Sequence, residues 1–68
     1  MNDETLNMSI RKFLKMTGVG SQREIEQAVK NALAAGQLKG VEKLPVSMKL
    51  SIPALELDVS FDGEIALE

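Results

Sequence analysis

The side chains of this 68-residue chain that could do chemistry are of few kinds: 8 Lys/Arg and 10 Asp/Glu, with no histidine and no cysteine. The lack of histidine removes the commonest general base and metal ligand. The lack of cysteine removes the thiolate nucleophile, the thiolate metal site and the disulfide. Carboxylates can share acid–base work only where a cleft pushes their pKa values apart, and a domain this small rarely encloses one. Gly18, Gly20, Gly36, Gly40 and Gly63 fall at expected helix ends or turns, and none is spaced as a phosphate-cradling loop. The two aromatics, Phe13 and Phe61, fall on apolar faces and offer no stacking platform for bases. The expectation is a non-enzyme with no catalytic residues, cofactor or metal.

What remains is binding. Met8, Arg11, Lys12 and Lys15 recur at three- and four-residue steps on one side of an expected helix, a candidate docking patch for an acidic protein with Met8 as an adaptable apolar contact. The plainer reading is a solvated face with cations toward a helix C-terminus, where the dipole favours them. A second candidate is the outward face of the expected sheet, with Lys49 among Glu56, Asp58, Glu64 and Glu68. It could meet a basic partner, or simply keep a small sheet from aggregating. The third is the helix-turn-helix look of residues 6–35, a Gly-containing turn followed by a capped helix opening Gln22-Arg23. Glu24 and Glu26 near its start and a pI near 5.1 argue against phosphate contact, so nucleic acid is not the expected partner.

The elements that would position these groups follow from periodicity. Leu6, Ile10, Phe13 and Leu14, and then Ile25, Ala28, Val29, Ala32 and Leu33, keep the helical spacing. Asn2 or Asp3 can cap a first helix over about residues 3–17, which Gly18-Val19-Gly20 would stop. Ser21-Gln22-Arg23-Glu24 reads as a capping box for a second helix over about 22–35, ended by Gly36. Beyond a connector to Pro45, Val46, Met48, Leu50, Ile52 and Leu55, Leu57, Val59, Phe61 alternate as in half-buried strands.

Three strands are expected, at about 46–52, 55–61 and 64–67, on the chemistry of two turns. Pro53 suits a four-residue loop at 52–55, which pairs Leu50 with Leu57 and Met48 with Val59. Gly63 at the left-handed position of a bulged loop would pair Val59 with Ile65 and bury every apolar residue on one face. The fold class this predicts is α+β: a single two-layer ααβββ domain over 1–68, with a helix hairpin packed on one face of a three-stranded antiparallel meander.

Charge follows the same division. Residues 1–44 hold 7 Lys/Arg against 5 Asp/Glu, whereas residues 45–68 hold 1 against 5. No apolar run approaches a membrane span, and the acidic Met1-Asn2-Asp3-Glu4 start is unlike a secretory signal, so a cytoplasmic protein is expected. Leu67-Glu68 reads either as the end of the last strand or as a cloning scar. Open strand edges and Met8 leave homodimerisation available. The expected function is protein–protein contact, with a helix-turn-helix-like nucleic-acid-binding domain as the alternative.

The stretch Met1-Asn2-Asp3-Glu4-Thr5-Leu6-Asn7-Met8-Ser9-Ile10-Arg11-Lys12-Phe13-Leu14-Lys15, with Ser21 to Val29, Gly36-Gln37-Leu38-Lys39-Gly40 and Asp62-Gly63-Glu64-Ile65, resembles a family of small uncharacterised bacterial proteins. The resemblance covers nearly the whole chain. It implies a free-standing bacterial domain of unknown function and lends no site residues.

Overall fold

The computed structural model describes all 68 residues and divides the chain into two compact units, Met1–Gln37 and Leu38–Glu68. The first unit is one helix, α1 (Asp3–Ala34). The second is a hairpin of β1 (Lys43–Ile52) and β2 (Leu57–Ala66), joined through a 3-10 turn at Pro53–Leu55.

Helix α1 starts where the Asn2 side chain accepts the Thr5 N–H at 3.1 Å, with Asp3 and Glu4 at the positive end of the dipole. It ends in a Schellman motif. Gly36 sits at φ 77°, its N–H donates to the Leu33 carbonyl, and the Gln37 N–H donates to the Ala32 carbonyl.

The expected break at Gly18-Val19-Gly20 does not occur, and the helix hairpin is thereby corrected to a single helix. Two mid-helix glycines cost only about 1 kcal/mol each relative to alanine, and there is no proline to remove a backbone donor. Opening a turn there would forfeit several backbone hydrogen bonds with nothing to replace them. The expected capping box is not made either, since Ser21 and Glu24 lie inside the helix, where their backbone N–H groups donate to carbonyls four residues back. The helix-turn-helix reading loses its turn for the same reason.

The three-stranded meander is likewise corrected to a two-stranded antiparallel sheet. β1 begins at Lys43, ahead of the expected start at Val46, because Leu44 continues the alternation backward through the connector. Pro45 is tolerated inside the strand because a two-stranded sheet has only edge strands. The added residues supply partners for Glu64, Ile65 and Ala66, so β2 runs straight through Asp62-Gly63 and needs no second turn. Gly63 has no positive φ, and a Cβ placed on it would meet Val46 Cγ1 at an ordinary 3.8 Å.

The loop has four residues as expected but lies at 53–56, one position later. Pro53 opens the turn, the Glu56 N–H donates back to the Pro53 carbonyl, and Glu56 takes the left-handed conformation at φ 52°. The register therefore moves by two, pairing Ile52 with Leu57, Leu50 with Val59, Met48 with Phe61, Val46 with Gly63 and Leu44 with Ile65. A shift of two preserves the faces, so every apolar residue of these pairs still lies on one side.

Neither unit has a core: no residue of the chain is buried. On α1, Thr17, Ser21, Ile25, Val29 and Ala32 are half-buried, and on the hairpin so are Leu44, Val46, Leu50, Leu57 and Ile65.

Candidate interaction surfaces

The Met8, Arg11, Lys12 and Lys15 patch lies on α1 as expected, at i, i+3, i+4 and i+7, so all four share one face. All are exposed, Met8 at 71%. Because the helix continues past Gly20, this face is longer than two separate helices would allow. Lys12, Lys15, Met16, Val19, Gly20 and Arg23 line a shallow open groove along it, an apolar floor between three cations. Sequence reasoning missed Met16, Val19 and Arg23 because it broke the helix between them. Their spacing from Lys12 (i+4, i+7, i+11) carries the signal once the glycines are read as helical.

No carboxylate neutralises these cations, since the ion pair of the chain is Lys49–Asp58 on the hairpin. Lysines present point charges and Arg23 a planar fork, so the groove suits carboxylates on a partner surface.

The outward face of the hairpin places Lys49 opposite Ser60 and Ser51 opposite Asp58. Lys49 and Asp58 are thus diagonal neighbours, and they meet at 3.4 Å with both side chains mostly exposed. Glu56 leaves this face for the turn. No group of three carboxylates converges enough to hold a metal ion. The hairpin's other face is apolar, with Met48 opposite Phe61 and Phe61 60% exposed.

One polar cluster was not expected from the sequence. The Glu42 carboxylate accepts the backbone N–H groups of Lys39, Gly40 and Val41 at 2.9–3.1 Å, with Gly40 at φ 93° folding the chain around it. These donors, Lys39 first, hold its pKa below the ordinary carboxylate value. The Glu42 carbonyl in turn accepts the Leu67 N–H at 3.0 Å, extending the strand ladder. Glu42 therefore fixes the start of the hairpin. A Gly two residues before a Glu, just ahead of a strand, is too common a pattern to have announced it.

No helix is long and apolar enough to cross a membrane. No curated protein and no solved structure shows a significant match to the chain. The model of one family does match, from residue 1 to residue 68, and the chain belongs to that family, DUF6494, described as a family of unknown function.

Proposed function

We propose that this chain is a small non-enzymatic protein-interaction domain of the bacterial cytoplasm. The observation that carries this reading is that large apolar side chains stand exposed on both units while no residue is buried. Exposed apolar surface on this scale marks contact with another macromolecule. The groove between Lys12, Lys15 and Arg23, continuous with Met8 and Arg11, gives the contact a chemical preference for an acidic protein segment.

The test is capture from lysate with the wild-type chain and with the triple variant R11E/K12E/K15E. The proposal expects an acidic partner that the wild type retains and the triple variant releases, with helical circular dichroism unchanged. Equal retention by both moves the interface off this face, and absence of any partner sinks the reading.

A further inference from the structure

We propose that the open edge of β2, from Asp58 to Glu64, takes an extended segment of another protein as a third strand, one that alternates basic and apolar residues. This surface is separate from the groove of α1, so the proposal stands or falls apart from the acidic-partner reading.

The register identifies the free backbone groups. The Leu67 N–H donates to the Glu42 carbonyl, and these two residues continue the ladder as a directly opposed, hydrogen-bonded pair. In an antiparallel ladder such pairs recur at every second residue. Leu44 with Ile65 is therefore bonded, and so is each alternate pair as far as Ile52 with Leu57. The residues between them turn their N–H and C=O groups outward. On β2 these are Asp58, Ser60, Asp62 and Glu64, whose backbone groups have no partner in the two-stranded sheet or elsewhere in the chain. Every residue from Asp58 to Glu64 is exposed. A row of unpaired donors and acceptors of this kind is a template for strand addition. A two-stranded hairpin is marginal alone, and a third strand is the smallest addition that steadies it.

The two edges of the hairpin are unequal. By the same alternation β1 turns Lys43, Pro45, Ser47, Lys49 and Ser51 outward. Pro45 has no N–H, so the ladder that β1 offers is interrupted. β2 contains no proline and offers an unbroken one.

Charge names the occupant. Asp58, Ser60, Asp62 and Glu64 carry their side chains on the polar face of the hairpin. Asp58 is met by Lys49 at 3.4 Å, whereas Asp62 and Glu64 stand opposite Ser47 and Pro45 and pair with no cation of the chain. A strand bonded to this edge places its own Cα atoms about 5.5 Å from those of Asp62 and Glu64. Lys or Arg at those positions supplies the missing charge partners. The alternate residues of the added strand fall on the apolar face beside Val59, Phe61 and Ile65. Gly63 leaves a gap between Phe61 and Ile65, a place for an aromatic side chain of the partner. A second copy of the chain fits less well. Its β2 would set carboxylates against carboxylates, and its β1 would bring the missing donor of Pro45.

The probe is a nine-residue peptide that alternates valine with lysine, begins and ends on valine, and has phenylalanine in place of the central valine. Titrated into the full chain at low salt, it should shift and protect the amides of Asp58, Ser60, Asp62 and Glu64 and leave those of α1 unchanged. The same peptide with glutamate for lysine should bind at least about tenfold more weakly, since two charge pairs are lost. N-methylation at each lysine removes the donors that face β2 and keeps the charge, and it too should weaken binding at least about tenfold. In the chain, Asp62→Lys with Glu64→Lys should turn the preference toward the glutamate peptide. Equal binding of the methylated and unmethylated lysine peptides overturns strand addition, because charge alone would then hold the peptide. Absence of binding by the lysine peptide overturns the choice of partner, and protection along β1 in place of β2 overturns the choice of edge. Growth of the free chain's mass with concentration in sedimentation, with the same four amides protected, makes a second copy the occupant and overturns the proposal as well.

Discussion

The helix and the hairpin both expose large apolar side chains, and they differ in what each can settle alone. Helix α1 satisfies its interior backbone groups within itself and closes both ends, with Asn2 at the start and Gly36 at the finish. What it lacks is only a partner for side chains. The hairpin pairs its two strands with each other and leaves an outer edge on each. An isolated two-stranded hairpin is marginal in water, so this unit lacks side-chain cover and backbone partners together. Charge divides along the same line: residues 1–37 hold 5 Lys/Arg against 4 Asp/Glu, and residues 38–68 hold 3 against 6. The acidic hairpin resists edge-to-edge stacking.

The largest expected effect falls on the helix and spares the hairpin. Val19→Asp sets a carboxylate in the apolar floor between Lys12, Lys15 and Arg23, where burial against an acidic partner would cost about 3 kcal/mol, or roughly 150-fold in association. Ile25→Asp, on the other side of the helix, should change capture by less than about threefold. Capture at matched concentrations reads both. Equal losses from the two variants would mean that the groove is not the contact.

Next in size is the double variant Gly18→Ala/Gly20→Ala. In a continuous helix with open space at both positions, helix propensity should rise by about 1 kcal/mol per site, visible as stronger helical dichroism. Were these residues a turn between two helices, the same change would lower helicity.

Much of this architecture was legible in the sequence, and the errors share one cause. The stripe from Leu6 to Leu33, the strand alternation from Val46, the four-residue turn around Pro53 and the Gly36 stop all follow from period and turn chemistry. The basic patch Met8, Arg11, Lys12 and Lys15 was legible for the same reason. Gly18, Gly20, Gly63 and Pro45 misled because each was read as punctuation. A glycine permits a turn and does not impose one, and its cost in a helix or strand is about 1 kcal/mol, small beside a run of backbone hydrogen bonds. Pro45 lacks a donor that an edge strand can spare. Reading Asp62-Gly63 as a turn called for a third strand, and starting β1 at Val46 instead of Lys43 hid Leu44 as the partner of Ile65. The Glu42 cluster was illegible because it depends on how Gly40 folds the chain.

The hairpin has its own test of that lesson. Gly63→Val fills an extended position opposite Val46 with a β-branched side chain at ordinary contact distance. It should stabilise the hairpin by up to about 1 kcal/mol, since glycine is a poor interior strand residue. At a left-handed turn position the same change would destabilise by a similar amount. The sign of the shift in thermal midpoint decides between strand and turn.

The smallest expected effect separates the units by pH. Glu42 is the hairpin's fixing group, and its folded pKa lies below its unfolded value because the carboxylate accepts three backbone N–H groups. A depressed carboxylate contributes stability that is complete above the unfolded pKa and is lost as pH falls through the folded one. Glu42→Gln should therefore lower the hairpin's midpoint modestly at neutral pH, and the difference from wild type should vanish in acid below both values. Because the cluster is solvent-exposed, the effect should stay small. Amide exchange can follow Lys39, Gly40 and Val41 in the hairpin beside residues of α1 in the same sample. Loss of protection at those three amides with the helix unchanged would locate the role of Glu42 in the hairpin alone. Equal loss in the helix would mean that the two units depend on each other for stability, and that the contrast drawn between them does not extend to their energetics.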